Sequence, residues 1–180
     1  MLFSYQECIS KYQSDYHIRK AIEKGELFQL EKGIYSNEKH ASHLEICAKK
    51  YPNAVVTMDS AFYHYGLTDT IPNYSHLATD RDAAKIRDDR VKQSFIPKDV
   101  LELGVVSETH IDYTINIYSK ERMLIELVRH KSKLPYDYYK EIIGNYRKRI
   151  YSLDIQEIEE LVAAFPRSTK IMQTLQDEVF

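Results

Sequence analysis

The chain of 180 residues has no tryptophan, only two cysteines, and five residues each of glycine and proline. Two cysteines without a partner at metal-ligand spacing exclude a zinc finger and a disulfide-rich scaffold. We therefore expect Cys8 and Cys47 to be small, buried core residues. The scarcity of glycine and proline leaves no flexible linker, which predicts tightly joined domains. No run approaches the roughly 18 apolar residues that a membrane-spanning helix needs.

Motifs of several enzyme classes are also missing. The sequence has no Gly-rich phosphate loop and no GxSxG nucleophile elbow. Its seven histidines are scattered and have no carboxylate or cysteine cluster at ligand spacing, so neither a metal nor a cofactor is expected. A group of aspartates interleaved with basic residues is more typical of a solvated, self-paired surface: Asp80, Asp82, Asp88 and Asp89. A metal-dependent nuclease that uses Asp59 and this group is kept as an alternative.

Composition places the chain among soluble globular proteins. Hydrophobic residues make up 43% of the chain and charged residues 29%. The formal net charge of −2 excludes a protein that is basic over its whole surface, but it allows a local basic patch for nucleic acid. The first twelve residues, MLFSYQECISKY, turn polar too early for a signal peptide, so we expect a cytoplasmic protein.

The first 40 residues have the pattern of a helix-turn-helix with a wing. The letters SYQE fit a capping box that begins a first short helix, and Ser14 offers the N-cap of a second. Gly25 is a natural stop for that second helix because glycine readily takes the left-handed conformation. Apolar stretches at residues 27–30 and 34–36 flank a glycine corner and predict a β-hairpin. This order is typical of winged DNA-binding modules.

The second helix is the candidate recognition helix. Its apolar stripe, Ile18, Ala21 and Ile22, leaves the remaining side chains facing outward. Arginine suits a guanine edge, and lysines suit phosphates. The predicted DNA-binding residues are Tyr16, His17, Arg19, Lys20 and Lys24 on the helix and Gln29 and Lys32 on the wing, with Tyr35 as a further wing candidate. The alternative is an ordinary amphipathic helix with a solvated charged face.

The rest of the chain predicts a mixed α/β region that ends in helices. AVVT predicts a buried strand, and MDSAFYHYGLT predicts a short helix that is capped by Asp59 or Ser60. Alternating apolar positions predict another strand: Ile111, Tyr113, Ile115 and Ile117. From Ser119 onward the pattern is helical. The predicted class is α+β, with residues 1–40 as a winged helix-turn-helix domain and residues 41–180 as an α/β domain that ends in a helical bundle.

A second group of basic residues lies on two consecutive predicted helices in the C-terminal half. Tyrosines are interleaved with these cations, a combination that suits nucleic acid or an acidic partner. Solvated helix faces around a tyrosine-rich core are the alternative. The group consists of Arg122, Arg129, Lys131, Lys133, Lys140, Arg147, Lys148 and Arg149.

Three segments in this order resemble the AbiEi family of antitoxins from abortive-infection toxin–antitoxin systems. In the first segment, the wing pattern is carried by Gly25, Leu27, Gly33 and Tyr35. The second segment is YPNAVVTMDSAFYHYGLTD, and the third is INIYSKERMLIELVRHKSKLPYDYYKEIIGNYRKR. The specificity of the resemblance lies in the order and spacing of the three segments, which cover most of the chain.

The resemblance implies a type IV antitoxin in phage defence. The N-terminal domain would bind inverted repeats in the promoter DNA of its own operon and repress transcription. The C-terminal domain would counteract a nucleotidyltransferase-like toxin without a stable complex. No enzymatic activity and no membrane partner are implied, and a monomer that binds cooperatively on DNA would suffice. The competing hypothesis is a protein-interaction module that inhibits a partner directly, without sequence-specific DNA binding.

Overall fold

The computed structural model describes residues 1–110 and 113–180. The chain forms two compact units: residues Met1–Ala54 with Ser107–Asn116, and residues Val55–Val106 with Ile117–Phe180. Residues 41–54 thus fold with the first unit, and the boundary after residue 40 stays a prediction about the DNA-binding module. Within the described ranges, no helix has the length and apolar character needed to cross a membrane.

The first unit contains the predicted helix-turn-helix and wing. Its elements are β1 (Leu2–Ser4), α1 (Tyr5–Tyr12), α2 (Asp15–Glu23), β2 (Phe28–Glu31), β3 (Ile34–Ser36) and α3 (His43–Lys50). The three strands form an antiparallel sheet in the order β1-β3-β2. Strand β1 was not predicted, because three residues are too few to show a periodicity.

The predicted helix boundaries of this unit are confirmed by their caps. The Ser4 hydroxyl accepts from the Glu7 amide at 3.3 Å, and the Glu7 carboxylate accepts from the Ser4 amide at 2.6 Å, which completes the capping box. The Ser14 hydroxyl accepts from the His17 amide at the start of α2. Gly25 after α2 and Gly33 in the wing corner have φ values of +72° and +80°, which residues with a Cβ rarely adopt.

The helices and the sheet of the first unit bury two small apolar clusters. Cys8, Ile18, Ala21, Leu27 and Tyr35 form one of them, and the other consists of Leu2, Ile34 and Ile46. Both cysteines are buried free thiols, as the sequence predicted. The candidate wing contact at Tyr35 is wrong, because its ring faces the core. Burial also raises the pKa of its hydroxyl.

Loss of the α2 cap should destabilise the first unit measurably. We expect Ser14→Ala to lower the free energy of unfolding by about 1 kcal/mol, because one amide at the start of α2 loses its acceptor. The matched control is Ser10→Ala, whose hydroxyl donates only to the Gln6 carbonyl within α1, and it should change stability by less than about 0.5 kcal/mol. Urea denaturation measures both, and equal effects would contradict a capping role for Ser14.

The rest of the chain forms a mixed sheet and C-terminal helices. The five-stranded sheet has the order β6-β5-β4-β8-β7, with β4 antiparallel to β5 and parallel to β8, and β5 parallel to β6. The bounds of the elements are β4 (Val55–Val56), α4 (Met58–His64), β5 (Ser75–Asp80), β6 (Val91–Ile96), α5 (Lys98–Leu101), β7 (Val105–Thr109), β8 (Thr114–Tyr118), α6 (Lys120–Arg129), α7 (Tyr136–Lys148), α8 (Ile155–Ala163) and α9 (Ser168–Glu178). Short 3₁₀ turns, Lys131–Lys133 and Ile150–Ser152, follow α6 and α7.

The structure tests the predicted cap of α4 and the strand predicted from alternation. Helix α4 begins at Met58 and has no side-chain cap, so the cap predicted at Asp59 or Ser60 is wrong. The Ser60 hydroxyl instead accepts from the His76 amide at 2.9 Å, which ties α4 to β5. The strand predicted from alternation is confirmed as β8, in which Ile115 and Ile117 are buried. Its first predicted position, Ile111, lies outside the described residues.

The C-terminal helices confirm the predicted fold class. The Ser119 hydroxyl accepts from the Arg122 amide and caps α6, as predicted. Every residue of α6 from 122 to 127 is buried, and α6 packs against α4, α8 and α9. The protein is α+β, with an N-terminal winged helix-turn-helix followed by a mixed α/β region that ends in helices.

Candidate nucleic-acid interface

The start of the wing is held against the C-terminal end of α2. The amides of Glu26 and Leu27 both donate to the Ala21 carbonyl, at 3.0 and 3.3 Å. The Leu27 side chain is fully buried and belongs to the same cluster as Ile18 and Ala21. Since backbone bonds hold both residues and apolar packing also holds Leu27, the β2–β3 hairpin and α2 form one rigid element.

The N-terminal end of α2 is held by α1. The Tyr5 hydroxyl donates to the Asp15 carboxylate at 2.9 Å, and this hydrogen bond raises the pKa of Tyr5. Asp15 also lies in the first turn of α2, where a negative charge is favourable to the helix dipole. Asp15, the acidic residue nearest to the predicted base contacts, is therefore stabilised both by Tyr5 and by the dipole of α2.

All seven predicted DNA-binding residues are exposed. The ring of Tyr16 is 66% exposed, and Lys20 Nζ lies 5.8 Å from its centroid. His17 packs edge-on against the same ring and places Nδ1 3.0 Å from the Ser14 hydroxyl. The exposed set is Tyr16, His17, Arg19, Lys20, Lys24, Gln29 and Lys32.

Three cations of this set have free charges. Within residues 1–110 and 113–180, the side chains of Arg19, Lys24 and Lys32 have no hydrogen-bond or ion-pair partner. Arg19 is in the middle of α2, Lys24 caps its C-terminal end and Lys32 is in the hairpin turn. The helix and the wing thus both offer an uncompensated positive charge to a ligand.

Helix α3 neutralises acidic residues of the winged module. Lys49 Nζ lies 2.7 Å from the Glu7 carboxylate, and Lys50 Nζ lies 2.9 Å from that of Glu31. Partial burial acts to raise the pKa of Glu7, but the hydrogen bonds from Lys49 and Ser4 outweigh it and lower the pKa. Because Glu31 is paired with Lys50 and its side chain is only 16% exposed, it does not cancel the charge of the neighbouring Lys32.

The second basic group contains one residue that cannot be part of a surface. Arg122 is 0% exposed, so its prediction as a surface cation is wrong. Its guanidinium pairs with Glu126 at 2.7 Å and lies 4.5 Å from the centroid of the Tyr118 ring. It also donates to the carbonyls of Val100 and Leu103, both at 3.1 Å. The hydrogen-bond donors of the Arg122 guanidinium are therefore used inside the fold.

Several other members of this group hold helices together. Arg149 donates to the carbonyls of Tyr65 and Gly66 at the C-terminal end of α4, at 2.6 and 2.7 Å. Lys131 pairs with the Glu178 carboxylate, and Arg147 Nε donates to the Glu178 carbonyl at 2.6 Å. The eight predicted residues therefore do not act as one cationic face. Arg129 pairs with Glu126. The three remaining members, Lys133, Lys140 and Lys148, are exposed.

The residues of the nuclease alternative have structural partners. Asp59 accepts from the Tyr138 hydroxyl at 3.1 Å, and its other oxygen lies 3.4 Å from His76 Nε2. Burial lowers the pKa of His76 and raises that of Tyr138. In the aspartate group, Asp88 pairs with Arg90 at 2.8 Å, which agrees with the predicted self-paired surface. The network of Asp59, His76 and Tyr138 was missed because its members are far apart in the sequence.

Comparisons with known proteins bear on the fold alone. No protein-family model matches the chain, and no curated protein matches it significantly. Among solved structures, the fold is similar to that of the Rv2827c protein from Mycobacterium tuberculosis, with a TM-score of 0.67 and 14% sequence identity. The match covers 99% of this chain and 72% of that chain. At this level of identity the similarity supports the architecture described above and carries no function.

Proposed function

We propose that this protein is a cytoplasmic AbiEi-like antitoxin that represses the transcription of its own operon. The observation that carries the proposal is the surface of α2 and the wing, which form one rigid element with three uncompensated cations. The order of the three sequence segments supports the family resemblance. In this account the chain is a DNA-binding regulator of a phage-defence system and has no catalytic activity.

The proposed DNA contacts follow from the positions of the exposed side chains. Helix α2 lies in the major groove, where Arg19 contacts a guanine edge and Tyr16 and His17 contact bases or sugars. Lys20 and Lys24 contact phosphates. On the hairpin, Gln29 and Lys32 contact the backbone beside the groove. Two copies on an inverted repeat would double each of these contacts.

The second unit is proposed to counteract a nucleotidyltransferase-like toxin. The AbiEi resemblance supports this part of the proposal, in which the antitoxin forms no stable complex with the toxin. Growth of cells that express both proteins measures the activity directly. A variant that no longer protects cells from the toxin but still represses its promoter would show that the two proposed activities are independent.

A paired substitution tests the proposed interface. We expect Arg19→Ala with Lys32→Ala to weaken binding to the promoter DNA of its own operon by about 10- to 100-fold. The estimate combines the loss of a bidentate base contact, worth about 1–3 kcal/mol, with the loss of a phosphate contact. An electrophoretic mobility shift assay at fixed salt measures this change.

The matched control is Lys11→Ala with Lys39→Ala. It removes the same net charge from the same unit at exposed positions that belong neither to α2 nor to the hairpin turn. The control should retain affinity within about threefold, because long-range charge alone contributes weakly at moderate salt. An unchanged specific shift with the first pair, or an equal loss with both pairs, would rule out this interface.

The alternative is a protein-interaction module. The observation that favours it is the exposed ring of Tyr16 beside Lys20, since tyrosine is enriched in the contact regions of protein interfaces. Co-purification with the product of a neighbouring gene, together with no shift of promoter DNA, would support this reading over DNA binding.

A further inference from the structure

A groove in the second unit is bounded by α6, the following 3₁₀ turn, α7 and α9. Its volume is about 780 Å³, within the range of about 300–1,000 Å³ that is typical of small-molecule sites. Its lining residues Arg129 and Lys131 belong to the second basic group predicted from the sequence, whereas the proposed DNA interface lies entirely on α2 and the β2–β3 hairpin. The groove is therefore separate from the proposed DNA interface.

The charged side chains that line the groove are all positive. Four cations line it, Arg129, Lys131, Arg167 and Lys170, and none of the described residues that line it is acidic. They come from α6, the 3₁₀ turn, the segment before α9, and α9 itself. Because cations from four parts of the chain meet here, the groove favours an anionic ligand.

Two of these four cations are already compensated and two are not. Arg129 pairs with Glu126 at 2.7 Å, and Lys131 pairs with Glu178. Arg167 and Lys170 are exposed, and in the part of the chain that the structure describes their side chains have no hydrogen-bond or ion-pair partner. The available charge of the groove is thus at its α9 side.

The groove also has an aromatic and apolar lining. Tyr136, a residue that is 69% exposed, contributes its ring to this lining, and Leu134 and Ile171 add aliphatic surface. Lys140 Nζ lies 5.7 Å from the centroid of the Tyr136 ring. A ligand with a flat ring and a negatively charged group would match both kinds of lining, because aromatic rings stack and cations bind phosphate.

We propose that this groove binds a nucleotide, with its phosphates against Arg167 and Lys170 and its base against Tyr136. The volume of about 780 Å³ suits a small molecule such as a nucleotide. A protein partner of standard size covers about 800 Å² on each side, so it would also have to contact surface outside the groove. The site is independent of the proposed DNA-binding function, because all its residues belong to the second unit.

Isothermal titration calorimetry of the full-length protein with ATP tests the site. We expect saturable binding with a dissociation constant in the range of about 1–100 μM, and at least a tenfold loss of affinity in Arg167→Ala with Lys170→Ala. The matched control, Lys85→Ala with Lys98→Ala, removes two exposed cations of the same unit that do not line the groove. Its affinity should stay within about twofold of the unchanged protein.

Titrations with tripolyphosphate, adenosine and an acidic peptide define the ligand class. Tripolyphosphate should bind more weakly than ATP, and adenosine should bind more weakly still. Tyr136→Ala should weaken the binding of ATP without affecting the binding of tripolyphosphate. Thermal unfolding of each variant checks that the fold is intact, which is expected because the replaced side chains are exposed. No saturable ATP binding up to millimolar concentration would overturn the proposal. Equal losses of ATP affinity in the two paired variants would also overturn it. So would binding of tripolyphosphate as tight as that of ATP, or binding of an acidic peptide tighter than that of ATP.

Discussion

Glu126→Gln should lower the free energy of unfolding by about 3–5 kcal/mol at pH 7, one of the two largest effects that we expect. Glu126 is 4% exposed, and one of its oxygens accepts from both Arg122 and Arg129 at 2.7 Å. Its other oxygen lies 3.3 Å from His130 Nδ1. The substitution keeps the shape of the side chain but removes its charge, which leaves the fully buried guanidinium of Arg122 without a counter-charge.

Urea denaturation measures this loss, and Glu159→Gln on the exposed side of α8 is the matched control. The control should change the free energy of unfolding by less than about 0.5 kcal/mol, because a solvated carboxylate contributes little. A loss of less than about 1 kcal/mol in Glu126→Gln would contradict a structural role for this ion pair.

The pH dependence of the free energy of unfolding tests the role of Glu126 in a second way. Burial acts to raise the pKa of Glu126, but the hydrogen bond from His130 and the charges of Arg122 and Arg129 outweigh it and lower the pKa to about 2. A lowered pKa stabilises the folded state above the unfolded-state pKa, and this contribution is lost as the pH falls through the folded-state value. The stability gap between the unchanged protein and Glu126→Gln should therefore shrink by about 2 kcal/mol between pH 7 and pH 3.

The parts of the fold that the sequence predicted are those set by local spacing. Ser4, Ser14 and Ser119 could be recognised as caps because each accepts from an amide three residues later. Gly25 and Gly33 could be recognised because turns that need positive φ select glycine. Strand β1 pairs with a partner about 30 residues away in the sequence and has no periodicity of its own, so local patterns did not predict it.

Burial of charged groups was not predictable in the same way. The spacing of Arg122 and Glu126 on one face of α6 is a local signal for an ion pair. Whether that pair is exposed depends on Tyr118 and on the carbonyls of Val100 and Leu103, which only the tertiary fold brings together. For this reason Arg122 looked like a surface cation in the sequence.

The candidate interface was partly predictable for a similar reason. The apolar stripe of α2 determines which of its side chains face outward, and all seven predicted residues are exposed. The pairing of Glu7 and Glu31 with Lys49 and Lys50 depends on the packing of α3, which the sequence pattern did not give. That pairing changes the charge balance of the module, because it leaves Lys32 as an uncompensated cation in the hairpin turn.

The other large effect is the salt dependence of DNA binding, which also tests the central claim most directly. If two copies of α2 and the wing make about six phosphate contacts on an inverted repeat, affinity for the promoter should fall about 10³-fold between roughly 50 and 200 mM salt. The cause is the release of condensed counterions by Lys20, Lys24 and Lys32. A mobility shift titration over this range, with a scrambled duplex of equal length as control, measures both the slope and the specificity. We predict a steep slope and tighter binding to the promoter, whereas no shift or equal binding to the scrambled duplex would contradict the account.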